Sequence, residues 1–154
     1  MNISELLSPD STLVCGNISS KKKMLEKVSE ILAEKVNAKP KDVFESLLSR
    51  EKLGTTALGE GVAIPHGRVQ CCDQIISVFI LLETPIDYDA RDGKPVDIVF
   101  AIMVPEEAHT EHLKHLAKVA EILSNPRILS QIRNAHCSEA LYEILEQAAL
   151  KLEK

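Results

Sequence analysis

Aromatic residues are scarce in this sequence, which has three phenylalanines, two tyrosines and no tryptophan among 154 residues. Proteins that bind single-stranded nucleic acid stack bases on aromatic rings and follow the backbone with a basic groove. A basic excess is lacking too, because 18 basic and 23 acidic residues leave a net charge of −5. This balance is also a poor match for an anionic membrane surface. We therefore do not expect general binding to nucleic acid or to anionic membranes.

Cysteine motifs and long apolar runs are lacking as well. The four cysteines include the adjacent pair Cys71 and Cys72, but there is no C-x-x-C pair of the kind that binds zinc or exchanges disulfides. The N-terminus has no basic-then-apolar signal pattern, and the longest apolar runs, such as residues 75–82, are too short to span a bilayer. These features predict a cytoplasmic protein with reduced thiols.

Helical spacing of apolar residues marks the N-terminal third of the chain. Apolar side chains at 24, 25, 28, 31, 32 and 36 predict a helix from about Lys21, with Ser20 able to cap its start and Asn37 able to close it. The lysines that open this helix lie at the end where the helix dipole disfavours cations. Pro40 suits the first turn of a second helix, which we expect to end at Gly54.

Apolar runs rich in β-branched residues follow. Residues 75–82 and 96–104 predict buried strands, and 12–15 a brief one. Residues 85–95 predict a connection that holds one short strand at most. Further helices are predicted over 108–124, over 126–132 and from about 138 onwards. Helices before, between and after strands predict a single α/β domain over residues 1–154, with its core at about 12–150 and its sheet covered by helices.

The stretch around His66, GEGVAIPHGR, is the strongest candidate for a reactive site. Pro65 fixes its own φ and favours an extended conformation for Ile64. Gly67 lacks a side chain, which would let a partner molecule approach closely. Imidazole titrates nearest to neutral pH, so His66 can serve as an acid, a base or a nucleophile. A histidine in a turn is also often merely structural.

A second group of histidines, His109, His112 and His115, lies on or just before the predicted helix 108–124. Steps of three fan these side chains across about 120° of a helix, which argues against a same-face metal site. On a helical wheel His112 lies at the edge of the apolar face, where a helix contributes to a pocket. The basic residues nearest to these segments in sequence include Arg50 and Arg68, and arginine can bind phosphate through two parallel hydrogen bonds. Either one can equally be a solvated surface residue.

The segment around His66 resembles that of a known protein family. The stretch GTTALGEGVAIPHGR, with the preceding SREKL, resembles the active-site segment of enzyme IIA domains of the phosphoenolpyruvate-dependent phosphotransferase system, mannitol/fructose type. The resemblance continues through LLETPIDYDARDGKPVDIVFAIMVPEEAHTEHLKHLAKVAEIL and covers about Lys21 to Tyr142. Within the family, LETPIDYDARDGKPVD followed by VPEE is most similar to the nitrogen-regulatory proteins. The fold that the resemblance implies is a mixed β-sheet of about five strands packed between helices.

The resemblance also implies a role for each site residue. His66 would be the phosphoryl acceptor, His112 the second active-site histidine and Arg50 the active-site arginine. Thr55, Thr56, Gly67 and Arg68 would form the supporting segments around them. These assignments follow from the match to the motif and leave open which ring nitrogen of His66 is modified.

The implied activity is that of a histidine phosphotransferase, a phosphocarrier that needs no cofactor or metal. Its donor would be an HPr-like protein carrying phosphohistidine, and its phosphorylation state would signal to regulatory target proteins. Two alternatives stay open. The chain could be a sugar-specific subunit that passes the phosphoryl group to a IIB domain, or a binding module that signals without being phosphorylated.

Overall fold

A computed structural model of the protein describes residues 6–69, 74–105 and 111–152, without the side chains of residues 111–113, 115 and 152. The candidates Cys71, Cys72 and His109 therefore lie outside the described residues, as do the side chains of His112 and His115. Among the helices that are described, none is long and apolar enough to cross a membrane.

Besides a short 3-10 helix over Pro9–Ser11, the described residues form five α-helices and six strands. In chain order they are β1 (Thr12–Cys15), α1 (Lys21–Val36), α2 (Pro40–Leu53), β2 (Ala57–Gly59), β3 (Val62–Ala63), β4 (His66–Val69), β5 (Ile76–Ile86), β6 (Val96–Pro105), α3 (Glu111–Ile122), α4 (Pro126–Arg133) and α5 (Ser138–Leu152). The expected α/β fold with a mixed sheet is confirmed.

The sheet is mixed because β6 pairs antiparallel with β5 on one side and parallel with β3 and β4 on the other. Strand β1 extends the sheet parallel to β5, and β2 pairs antiparallel with β3. Strands β3 and β4 follow β6 in one continuous register, with Val62 opposite Ile98 and His66 opposite Ile102. Pro65 lies between β3 and β4 and has no N–H to donate to β6. Its carbonyl still accepts a hydrogen bond from the N–H of Ile102 at 2.9 Å. The central strand therefore holds the start of β4 in place.

Side chains alternate along the central strands and build a core on each face of the sheet. On one face, alternate residues of β6 such as Ile98, Phe100 and Ile102 pack with α3, α4 and α5. On the other face, Val99, Ala101 and Met103 pack with α1 and α2. The result is a sheet covered by helices on both sides, as the strand and helix patterns predict.

The caps of α1 are those expected from the sequence. Ser20 accepts a hydrogen bond from the N–H of Lys23 at 3.1 Å, and Asn37 closes the helix in the left-handed conformation with φ 57°. The lysine at the unfavourable end has a partner, because Lys21 Nζ lies 2.9 Å from the carboxylate of Glu51 in α2. This ion pair accounts for a cation where the helix dipole alone disfavours one.

Two segments differ from the expectation. Strand β5 continues past Pro85 to Ile86, with a register shift against β6 between Leu81 and Ile86. Residues 87–95 form the connection that the sequence predicts, and Tyr88 within them is fully buried. The glycines and threonines of residues 54–61 are typical of a loop, but this segment contains β2, which forms a short hairpin with β3. In both places, pairing with a neighbouring strand overrides a local signal, that of Pro85 in β5 and that of Gly59 in β2.

Candidate active site

A cleft of about 290 Å³ lies where the end of α2, the following loop, β4 and α3 meet. Its described lining consists of Arg50, Thr55, Thr56, Ala57, Leu58, Ile64, His66, Leu116, Ala117 and Ala120. Four residues singled out in the sequence, Arg50, Thr55, Thr56 and His66, thus come together in one place. They lie together because α2 and the loop that follows it end next to the start of β4, directly after Pro65.

His66 is half-buried at the first position of β4. Its ring Nδ1 lies 2.9 Å from the carbonyl oxygen of Ile64. A carbonyl oxygen can only accept, so Nδ1 carries the proton and Nε2 holds the lone pair in the neutral ring. The backbone therefore selects one tautomer and leaves the lone pair of the neutral ring on Nε2.

Arg50 lies in the last turn of α2, and its Nη1 donates to the carbonyl oxygen of Gly54 at 2.9 Å. This bond ties the guanidinium to the loop that leads into the cleft. A guanidinium has five N–H donors in a planar fork, so it can bind an anion while keeping this anchor. Arg50 therefore supplies fixed positive charge to the cleft that contains His66.

Thr55 and Thr56 follow directly and have different environments. The hydroxyl of Thr55 accepts from the N–H of Ala57 at 3.1 Å, which tightens the loop. Thr56 is buried, and its hydroxyl contacts the carboxylate of Glu51 and lies 3.0 Å from the hydroxyl of Tyr88. Of the two, Thr55 is the one whose side chain is partly accessible at the cleft.

His112 is the second residue of α3, one turn before the cleft residue Leu116. Its side chain lies outside the described residues. Its role as the second active-site histidine stays a prediction, carried by the motif and by its place on a helix that forms one wall of the cleft.

The structure gives Gly67 a different role from the one expected. A Cβ atom at Gly67 would clash with Ser46 Oγ and lie 3.3 Å from the backbone carbon of Ser46, so this position faces α2. The expectation that Gly67 makes room for a phosphoryl donor is wrong, because Ser46 already occupies the space where a side chain at this position would lie. Arg68 is exposed on β4, with its backbone N–H and carbonyl both bonded to the Ser46 hydroxyl. Neither Gly67 nor Arg68 belongs to the described lining of the cleft.

Two residues beside the cleft, Glu51 and Tyr88, are not among those that the sequence singles out. The Glu51 side chain is 3% exposed and accepts from the Tyr88 hydroxyl at 2.9 Å. Burial and the adjacent Glu51 charge raise the pKa of Tyr88 well above its usual range. The sequence gives one indication of Glu51: the helix dipole disfavours the lysine at the N-terminus of α1, and an acidic partner would stabilise it.

Comparison with known proteins points to the same family as the sequence motif. Residues 5–148 match the family model described as phosphoenolpyruvate-dependent sugar phosphotransferase system, EIIA 2. A nitrogen regulatory protein of Bradyrhizobium diazoefficiens is 41% identical over 145 residues, which is 94% of this chain and 95% of that protein. The crystal structure of nitrogen regulatory protein IIA-Ntr from Neisseria meningitidis superposes with a TM-score of 0.86 at 40% identity, covering 93% of this chain and 98% of that one.

A more distant structure shares the fold. IIA mannitol from Escherichia coli superposes with a TM-score of 0.73 at 22% identity and covers 90% of this chain and 98% of that one. The family predicted from the sequence motif is thereby confirmed, and the nitrogen regulatory proteins are similar to this chain over most of its length. The chain belongs to the EIIA type 2 family of the phosphoenolpyruvate-dependent phosphotransferase system.

Proposed function

We propose that this protein is a regulatory phosphocarrier in which His66 Nε2 accepts a phosphoryl group from the phosphohistidine of an HPr-like carrier. The observation that carries the proposal is the hydrogen bond between His66 Nδ1 and the Ile64 carbonyl. It leaves the Nε2 lone pair available in a cleft that also contains Arg50. This assignment extends the sequence prediction, which names the residue and leaves the nitrogen open.

The chemistry is an exchange of one N–P bond for another. The Nε2 lone pair forms a bond to phosphorus while the donor's own N–P bond breaks, and the donor ring leaves with that electron pair. Transfer of this kind passes through a loose transition state, so catalysis consists of alignment and charge stabilisation. As Nε2 bonds to phosphorus the His66 ring becomes positively charged, and the Ile64 carbonyl stabilises the Nδ1–H. Arg50 donates to the phosphoryl oxygens, as we also propose for His112.

The surroundings of the cleft suit a protein donor. Leu53 and Leu58 expose 85% and 49% of their surface on the segment that carries Arg50 and Thr55. A cleft of about 290 Å³ with an exposed rim holds a phosphoryl group and a ring edge rather than a large substrate. We also propose that the protein acts in the reducing cytoplasm, where the thiols of Cys15 and Cys137 would stay free.

Phosphorylation would change the surface that targets meet. A phosphoryl group adds roughly two negative charges at pH 7. Placed at the mouth of the cleft, it would reverse the positive field of Arg50 and so alter which proteins dock there. The relatives named nitrogen regulatory proteins favour signalling over sugar transport as the use of this switch.

The test is transfer of label from phosphoenolpyruvate through enzyme I and the carrier. We expect the wild type to become labelled and His66→Ala to remain unlabelled, while the exposed His136→Ala, a matched control, labels like the wild type. Phosphorus NMR of the labelled protein should place the phosphoryl group on Nε2. Equal labelling of His66→Ala would overturn the proposal. Efficient passage of label to a IIB domain would instead support the sugar-transport alternative.

A further inference from the structure

Glu51 is a buried carboxylate beside the cleft that takes no direct part in the proposed transfer. Its side chain is 3% exposed, and each oxygen has two partners. Oε1 accepts from the hydroxyls of Thr56 and Tyr88, the latter at 2.9 Å. Oε2 accepts from the N–H of Thr56 at 3.3 Å and lies 2.9 Å from Lys21 Nζ. The carboxylate is fully engaged and, in the described structure, is not part of the cleft lining.

The partners of Glu51 come from three separate parts of the fold. Lys21 is the first residue of α1, Thr56 lies in the loop after α2, and Tyr88 follows β5. Lys21 Nζ also lies 4.3 Å from the centroid of the Tyr88 ring, which completes the cluster. Of these partners, Thr56 is the one that contacts Glu51 through both its backbone and its side chain. Glu51 therefore restrains Thr56 in position and in orientation.

Thr56 passes this restraint to His66 through the backbone. The carbonyl oxygen of Thr56 accepts from the N–H of Ile64 at 3.0 Å. The carbonyl oxygen of the same Ile64 accepts from His66 Nδ1 at 2.9 Å. A continuous series of hydrogen bonds thus runs from the Glu51 carboxylate to the ring of His66. Its last bond is the one that selects the tautomer.

We infer that Glu51 is a positioning residue that, through Thr56 and Ile64, holds His66 in the Nδ1–H tautomer with Nε2 aimed into the cleft. A purely stabilising role explains the cluster less well. A buried ion pair is seldom more stabilising than apolar residues of the same size, whereas its directional bonds define one geometry. Misplacement of a reacting group by about 1 Å can cost about a hundredfold in rate, so a reactive nitrogen requires such a geometry.

Two variants of different severity test this inference, which rests on the proposed function for its kinetic part. Glu51→Gln removes the charge that Lys21 neutralises, and Thr56→Val removes a single hydroxyl while keeping the backbone N–H. If Glu51→Gln does not fold, Thr56→Val decides the outcome. Ser29→Ala is the matched control, because it deletes a buried hydroxyl that bonds to the Leu25 carbonyl within α1.

The first readout is the kinetics of label transfer from the carrier. For Glu51→Gln and Thr56→Val we expect the rate at saturating carrier to fall by about tenfold, with half-saturation within about twofold of wild type, since alignment and not docking is lost. The second readout is the nitrogen NMR spectrum of the His66 ring, assigned by comparison with His66→Gln. We expect the proton on Nδ1 in the wild type and in Ser29→Ala, and a mixture of both tautomers in the two test variants.

The inference is overturned if the folded test variants keep the Nδ1–H tautomer and transfer at a rate within twofold of wild type. It is also overturned if Ser29→Ala shows the same losses, which would reduce the effect to general stability. A wild type that accepts no label would defeat the proposed function alone, because the ring spectrum still tests the positioning by Glu51.

Discussion

Single residues of the site are held by contacts that span distant parts of the sequence. Ser46 and Arg68 are 22 positions apart, yet the Ser46 hydroxyl donates to the Arg68 carbonyl at 2.7 Å and accepts from the Arg68 N–H at 3.0 Å. Gly67 lies between these bonds and the proposed acceptor, His66. The absence of a side chain there lets β4 lie directly against α2, and this closeness brings His66 to the helix that carries Arg50.

Gly67→Ala tests that packing. The added Cβ would clash with Ser46 Oγ, which its two bonds to Arg68 keep from moving aside. We expect the free energy of unfolding to fall by about 1–3 kcal/mol, as overpacked positions usually show. Urea denaturation followed by circular dichroism measures it.

Gly16→Ala is the control for this measurement. Its Cβ would lie 2.8 Å from the carboxylate end of the exposed Glu83, a flexible group that can turn away. We expect a change of less than about 0.5 kcal/mol. If Gly67→Ala were equally mild, close packing of β4 on α2 would not be the reason for glycine at this position.

At the scale of elements, the ends of helices decide where the site residues lie. The last turn of α2 carries both Arg50 and Glu51, one lining the cleft and the other buried behind it. The first residue of α1, Lys21, neutralises Glu51. The N-terminus of α1 is therefore part of the support of the site as well as the start of a helix.

Ser20→Ala tests the start of α1. The serine hydroxyl accepts from the N–H of Lys23, and its loss leaves that donor without its cap. We expect thermal and urea unfolding to show a loss of about 1 kcal/mol. The control is Lys39→Ala, since Lys39 is the N-cap of α2 and makes no capping bond through its side chain. An equal loss in both variants would mean that the cap does not contribute.

At the scale of the whole molecule, buried titratable groups tie global stability to pH. Tyr88 is fully buried between α1, α2 and the sheet, and burial followed by the Glu51 charge raises its pKa. In the unfolded chain the phenol titrates near pH 10, as an ordinary tyrosine does. Above about that pH the unfolded chain loses a proton that the folded protein keeps, so stability falls as pH rises.

Tyr88→Phe should remove this contribution. For the wild type between pH 10 and 11, we expect Tyr88 to contribute a fall of up to about 1.4 kcal/mol per pH unit in the free energy of unfolding. The variant should be less stable near pH 8, where it lacks the hydrogen bond to Glu51, but should lose less on going to pH 11. Urea denaturation of both proteins across this range measures the difference. Parallel pH profiles would show that Tyr88 does not titrate differently on folding.

The helices, the buried strands, the caps of α1 and the His66 motif are all readable from the sequence. Each of them depends on neighbours within a few positions: apolar spacing, a serine before a helix, or the short pattern of proline, histidine and glycine. Within residues 85–95, local signals mislead only at the start of the predicted connection, where Pro85 indicates a loop but β5 continues to Ile86, which pairs with Val96 of β6.

The surroundings of His66, the proposed phosphoryl acceptor, could be learned only from the tertiary structure. Glutamate is rarely buried, and Tyr88 stands between two aspartates, so nothing local reveals that Glu51 and Tyr88 are buried together 37 positions apart. Likewise the partner of Gly67 is a serine on another element, and the ring nitrogen of His66 that keeps its lone pair depends on which carbonyl the ring contacts. The contiguous motif around His66, through its resemblance to the family, predicts which residue accepts the phosphoryl group. Its tautomer and its support come from contacts that form only when α1, α2 and the sheet pack together.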